Sequence, residues 1–170
     1  MTDMADSRIY VVQHRRRREG RTDYRLRLKL IKSGKPRLVV RKSSNNIMCQ
    51  VIEYGHTGDK VVASADSRKL KEFGWTGHCG NIPAAYLTGM LCGVNAKKAG
   101  VKDAILDAGL YTSTRGSRIY AALKGAVDGG ISVPHSAEIL PAADRIAGKH
   151  TKDGGKAAKE FEEARKKIGK

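Results

Sequence analysis

Four consecutive arginines, Arg15 to Arg18, are followed by Arg21, Arg25, Arg27 and Lys29, with Arg8 a short way upstream. A guanidinium forks onto two phosphate oxygens and also stacks flat on a base, so a run richer in arginine than in lysine suits structured RNA. Tyr24 lies inside the run, where stacking on a base and packing against the sheet are both open to it. Two further groups carry similar chemistry. Arg41-Lys42-Ser43-Ser44-Asn45-Asn46 is dense in donors for phosphate, ribose and base edges, although Ser43 and the asparagines can equally satisfy a turn of their own. In Ser113-Thr114-Arg115-Gly116-Ser117-Arg118, hydroxyls and two guanidiniums surround an expected helix start, where unpaired backbone N–H groups favour an anion. Ser117 is the expected cap of that helix.

Enzymatic chemistry is harder to find. There is no P-loop and no G-x-G-x-x-G after a strand, and the spacing of Gly74, Gly77 and Gly80 reads as a flexible turn. His78 and Cys79 are adjacent rather than at ligand spacing, and no second cluster completes a zinc site, so neither a metal nor a cofactor is expected. His135, after Pro134, reads as a loop or RNA-contact residue rather than a general base. Asp66, Asp107 and Asp128 close strands or a helix, as the acids of a two-metal nuclease would. Caps and surface positions account for them equally well. A metal-dependent nuclease is therefore the alternative to a protein that binds RNA without catalysis.

The charge supports binding. The chain carries a net +16 at pH 7, which points to a polyanionic partner. Residues 1–42 hold +10, residues 43–144 only +1 and residues 145–170 +5, so a nearly neutral body is flanked by basic ends. Little apolar material lies in residues 1–21, and this arm is expected to order on RNA. No membrane partner is expected: the charge-free run from Phe73 to Ala96 contains Pro83, asparagines and five glycines, which suits a loop and a buried helix. The N-terminus has no apolar core of a signal peptide. Cys49, Cys79 and Cys92, odd in number and widely spaced, read as free thiols of a reducing cytoplasm.

Periodicity supplies the elements that must hold these groups. A helical pattern covers His14 to Lys32, with Thr22 and Asp23 as possible caps. Three strands follow, Arg37 to Lys42, Ile47 to Tyr54 and Val61 to Ala65, as an antiparallel meander. A short helix from Ser67 to Phe73 leads to a longer one capped by Asn81, with Pro83 in its first turn. Along that helix Ala85, Gly89 and Gly93 form a smooth ridge expected to lie flat on the sheet. Asp103 to Gly109 reads as an internal strand, Ser117 opens another helix ended by Gly129-Gly130, and Ile131 to Val133 is a possible last strand. Lys156 to Ile168 reads as an exposed helix with Glu162–Lys166 and Glu163–Lys167 pairs. The expected fold class is α/β: a single small domain with a mixed sheet packed by helices, plus a basic N-terminal arm and helix and a basic C-terminal helix. The expected divisions are 1–36, 37–147 and 148–170.

Three strings carry a family resemblance: RRRREGRTDY (Arg15 to Tyr24), AAYLTGMLCG (Ala84 to Gly93) and ALKGAVDGGISVPHS (Ala122 to Ser136). In order and spacing they resemble the archaeal/eukaryotic-type large-subunit ribosomal protein that binds 5S rRNA, universal family eighteen, over roughly residues 8–140. The C-terminal length resembles the archaeal type. The resemblance implies a non-enzymatic constituent of the cytoplasmic ribosome that binds 5S rRNA. It also implies attachment of that RNA to large-subunit rRNA in the central protuberance, beside a neighbouring 5S-binding ribosomal protein. Carried over by position, Arg15 to Arg18, Arg21 and Arg25 fall in the RNA-contacting entry segment. Arg41, Lys42, Ser43, Asn45 and Asn46 fall in a strand-corner contact, and Ser117 and Arg118 at a helix start. Arg8, Tyr24, Lys29 and Arg115 join this set from their own chemistry.

Overall fold

Period-two alternation builds the sheet. In the computed structural model, which describes residues 11–151 and 154–169, β1 (Arg37–Lys42) buries Leu38 and Val40 fully on one side and turns Arg37, Val39 and Arg41 to the other. In β2 (Ile47–Glu53) the corresponding buried set is Ile47, Cys49 and Val51. The register places Val40 opposite Cys49 and Leu38 opposite Val51, so both strands bury the same face. β3 (Lys60–Asp66) completes the meander with Ala63 and Ala65, after a bulge at Val51/Ile52. β4 (Ile105–Asp107) joins β1 in parallel, giving the order β3-β2-β1-β4 and a mixed four-stranded sheet.

Two strands differ from expectation. β4 is a three-residue edge rather than an internal strand. The segment Ile131 to Val133 contributes only an isolated bridge between Asp103 and Ser132. Pro134 follows at once and has no N–H with which to extend a ladder.

The helices cover the buried face. α3 (Ile82–Lys98) starts where the Asn81 side chain accepts from the Ala84 N–H at 2.9 Å, with Pro83 in the first turn. Every residue from Pro83 to Gly93 is buried, so this helix needs cover on all sides. It rests on β2 and β3, and α4 (Arg118–Asp128) packs against it and touches β1. The small-residue ridge faces α4 and not the sheet. A Cβ on Gly89 would lie 2.0 Å from the Ala122 carbonyl oxygen, and one on Gly93 2.6 Å from that of Ala126. Gly125 and Gly129 reciprocate toward the carbonyls of Tyr86 and Met90, so the two backbones run in direct contact.

The basic ends form helices of different kinds. The expected helix from His14 divides into α1 (Arg15–Arg18) and α2 (Tyr24–Ile31), because Gly20 turns the chain at φ +62°. Asp23 caps α2 by accepting from the N–H groups of Arg25 and Leu26. α2 lies over the sheet face opposite α3 and α4. Beyond a short α5 (Ala143–Ile146), α6 (Gly154–Ile168) is not the exposed helix expected. Its Phe161, Ala164 and Ile168 are buried, it docks on α3, and the Phe161 ring lies 5.4 Å from that of Tyr86. The ion pair along it is Lys156–Glu160, in place of the two expected further on. Glu160 also accepts from the Thr76 backbone N–H and hydroxyl.

Candidate nucleic-acid interface

The arm presents its guanidiniums outward. Arg15 to Arg18 occupy one helical turn with no buried residue. Glu19 lies 3.8 Å from Arg15 and 3.1 Å from Arg21, and Arg16 Nε donates to the Thr22 hydroxyl at 2.8 Å. Arg17, Arg18, Arg25 and Lys29 are exposed and have no carboxylate within 4.0 Å among the described residues. The only other acid in the segment, Asp23, is engaged as a helix cap. Tyr24 is half-buried, with its ring centroid 5.2 Å from that of His14. Arg8 lies outside the described residues.

A second group forms where β1 turns into β2. Ser43 closes its own turn: its N–H donates to the Asn46 carbonyl, and its hydroxyl accepts from the Asn46 N–H at 2.9 Å. Asn45 stays exposed at the tip. Lys42 Nζ lies 5.1 Å from the centre of the Tyr111 ring, whose hydroxyl donates to the Lys42 carbonyl. Arg118, the first residue of α4, donates to the Ser43 carbonyl at 3.2 Å and to that of Gly80 at 2.8 Å. One guanidinium thus ties the strand corner, the loop before α3 and the start of α4 into a unit. Ser117 occupies the cap position of α4, but its hydroxyl makes no capping bond and is buried without a partner. The start of α4 is secured by Arg118 instead. Arg115 is exposed and pairs with Glu138 through its carbonyl at 2.7 Å and its carboxylate at 3.3 Å.

Across the sheet face beneath α2 the cations and acids alternate. Arg27 meets Asp59 at 2.9 Å, Asp59 meets Arg37 at 2.6 Å, Arg37 meets Asp107 at 3.0 Å, and Asp107 meets Arg41 at 2.9 Å. Arg37 is 4% exposed, so its charge depends on those two carboxylates. Burial works to raise the Asp107 pKa. The hydrogen bond and charge of Arg41, the Gly109 N–H and the Arg37 charge outweigh it and hold the carboxyl below its ordinary value. Between this face and α2 lies a cleft of about 560 Å³ that brings Arg16 and Arg21 of the arm to Arg41 and Tyr111.

The three acids considered for metal chemistry sit in separate places. Asp66 caps the 3-10 helix Ser67–Phe73 and pairs with Arg68, whose hydrogen bond lowers its pKa. Asp107 is held by Arg37 and Arg41, and Asp128 by the Tyr86 hydroxyl and Lys124. Among the described residues no three such ligands gather. Sequence reasoning missed Arg37, Gln50 and Tyr111, which line the cleft. The available signal was the strand period, which puts Arg37 and Arg41 on one face of β1.

A mixed-sheet α/β domain with a run of unpaired arginines on an exposed arm belongs to the class of basic proteins built to sit against polyanions. The family model described as ribosomal large subunit proteins 60S L5 and 50S L18 matches residues 8–102 and 94–136. The chain belongs to this family of large-subunit ribosomal proteins. Its partners are accordingly rRNA and the ribosome, and its role is structural. No described helix is long and apolar enough to cross a membrane.

Proposed function

We propose that this ribosomal protein binds 5S rRNA and attaches it to large-subunit rRNA in the central protuberance, next to a neighbouring 5S-binding ribosomal protein, without catalysing a reaction. The observation that carries the reading is where the unengaged guanidiniums concentrate. In the body, Arg37, Arg41, Arg68 and Arg115 each have a carboxylate partner. In the arm, Arg17, Arg18, Arg25 and Lys29 have none within reach among the described residues. The arm, residues 1–36, supplies phosphate neutralisation; the domain 37–147 docks by shape through the corner of Lys42, Ser43, Asn45 and Asn46 with Arg118; the segment 148–170 adds charge.

The test is a competition gel shift with labelled 5S rRNA, excess tRNA and rising potassium chloride. A 5S complex that survives tRNA at near-physiological salt is expected. Displacement in proportion to competitor mass would reduce the protein to a bulk polycation. Replacing Arg15 to Arg18 with alanine should flatten the plot of log K against log salt, by roughly 0.7–0.9 for each phosphate no longer neutralised. An unchanged slope would show that the arm does not touch the RNA.

A further inference from the structure

The cleft beneath α2 has the makings of a specific pocket. Its floor is the sheet face opposite α3 and α4, with Val39 and Ile52 as apolar surface; Leu26 and Leu30 of α2 form the roof. Leu26 and Leu110 at its lips are 38% and 56% exposed and offer apolar surface to whatever enters. The volume of about 560 Å³ lies within the roughly 300–1,000 Å³ typical of small-ligand sites.

Its polar groups are few and placed. Gln50, half-buried on the floor, offers an amide donor and acceptor side by side. Arg37 lines the same floor at 4% exposure; its two terminal nitrogens are taken by Asp107 and Asp59, but its Nε–H has no acceptor. Five arginines against three aspartates line the cleft, so its field favours an anionic ligand, while its walls favour a flat apolar one.

Resting on the 5S rRNA reading above, we propose that this cleft receives one unstacked nucleobase of the bound RNA. A base has apolar faces for Val39, Ile52 and Leu26, and an edge of donors and acceptors for the Gln50 amide. Its phosphates remain outside, where Arg16 and Arg21 line the rim. Proteins read RNA sequence mainly through such splayed-out bases, because the major groove of its helices is closed to side chains.

Two variants and one crosslink test this. Ile52→Trp fills the floor, and Gln50→Leu removes the amide at nearly constant volume. With the thermal midpoint of each as a control for folding, 5S rRNA binding is measured over a range of potassium chloride. Each variant should bind about ten-fold more weakly, as expected for losing one held base, with an unchanged salt slope because no phosphate contact is touched. Zero-length ultraviolet crosslinking of the wild-type complex should mark the peptide containing Tyr111, and Ile52→Trp should abolish that mark. Wild-type affinity and crosslinks in both variants would overturn the cleft alone. A weakening accompanied by a flattened slope would mean a disturbed arm and would also overturn it. Failure of the wild-type protein to prefer 5S rRNA over tRNA would overturn both readings.

Discussion

Replacing Gly89 with alanine tests the contact on which the helical layer depends. The new methyl would sit 2.0 Å from the Ala122 carbonyl oxygen, 2.7 Å from its carbonyl carbon and 2.8 Å from its Cα. All three are backbone atoms, so no side chain can swing away. Ordinary contact distance returns only if α3 and α4 part by more than about 1 Å. Overpacking of this kind costs roughly 1–3 kcal/mol, and a rigid backbone obstacle places it at the upper end. Alanine recovers about 1 kcal/mol of helix propensity. The net loss is about 2 kcal/mol, which lowers Tm by about 4–8 °C for a chain of this length. Gly155, in α6 with no heavy atom within 4 Å of a Cβ, is the control, and alanine there should leave Tm unchanged or slightly raised. Adding Gly125→Ala should cost less than its single effect, since one separation of the helices relieves both clashes. The functional readout follows from Arg118, which travels with α4 and holds the Ser43 and Gly80 carbonyls. On the proposed function, 5S rRNA affinity falls while the salt slope set by the arm persists. A Gly89→Ala protein with wild-type Tm and urea midpoint would refute the close-contact account.

Two further perturbations probe other layers. Asp107→Asn leaves the buried Arg37 with Asp59 as its remaining carboxylate and should cost about 3 kcal/mol in urea denaturation at pH 7, near the low end for a broken buried pair; unchanged stability would contradict the charge chain. Because the Asp107 pKa is held below its ordinary value, its contribution is complete above the unfolded value of about 3.9 and is lost as pH falls through the folded one. Wild-type stability should therefore decline below about pH 4, and the Asn variant should show a shallower acid limb. Phe161→Ala removes the ring that anchors α6 on Tyr86, a truncation worth about 3–5 kcal/mol in a full core. That exceeds what one docked helix can lose and remain in place, so trypsin should cut at Lys159, Arg165 and Lys166 well before the core melts; an unchanged cleavage rate would show that other contacts hold it.

What could be read from sequence was whatever is decided within a few residues. The alternation of Leu38, Val40, Cys49 and Val51, the caps at Asp23 and Asn81, and the break at Gly129-Gly130 are local, and each matches the structure. What failed depended on partners far along the chain. A ridge of Gly89 and Gly93 shows that some backbone comes close, but only the tertiary arrangement makes it α4 and not the sheet. β4 reads as apolar and interior, yet among the described residues no strand pairs with its outer side. In α6 the stripe of Phe161, Ala164 and Ile168 was visible at three- and four-residue steps, but the density of lysine and glutamate around it suggested solvent on all sides. Arg41 illustrates the same limit within the candidate site: nothing near it in sequence shows that Asp107 stands beside it.

The Arg41–Asp107 pair alters how the charge should be interpreted. A net charge counts cations without saying which are already answered. In the body the acids answer most arginines one by one, and on the sheet face beneath α2 the answer is structural: the alternating chain from Arg27 to Arg41 fixes the floor of the cleft. The arginines of that chain belong to residues 1–42, so part of the +10 there is already built into a surface with defined donors, and what stays unanswered in that segment is centred on Arg17, Arg18, Arg25 and Lys29. Unanswered charge attracts any polyanion and weakens with salt. A fixed pattern of donors distinguishes one RNA from another. On the proposed function the arm supplies most of the attraction and the corner and cleft supply the choice, and the two are physically joined, because Arg16 and Arg21 border the same cleft whose floor is Arg37 and Gln50.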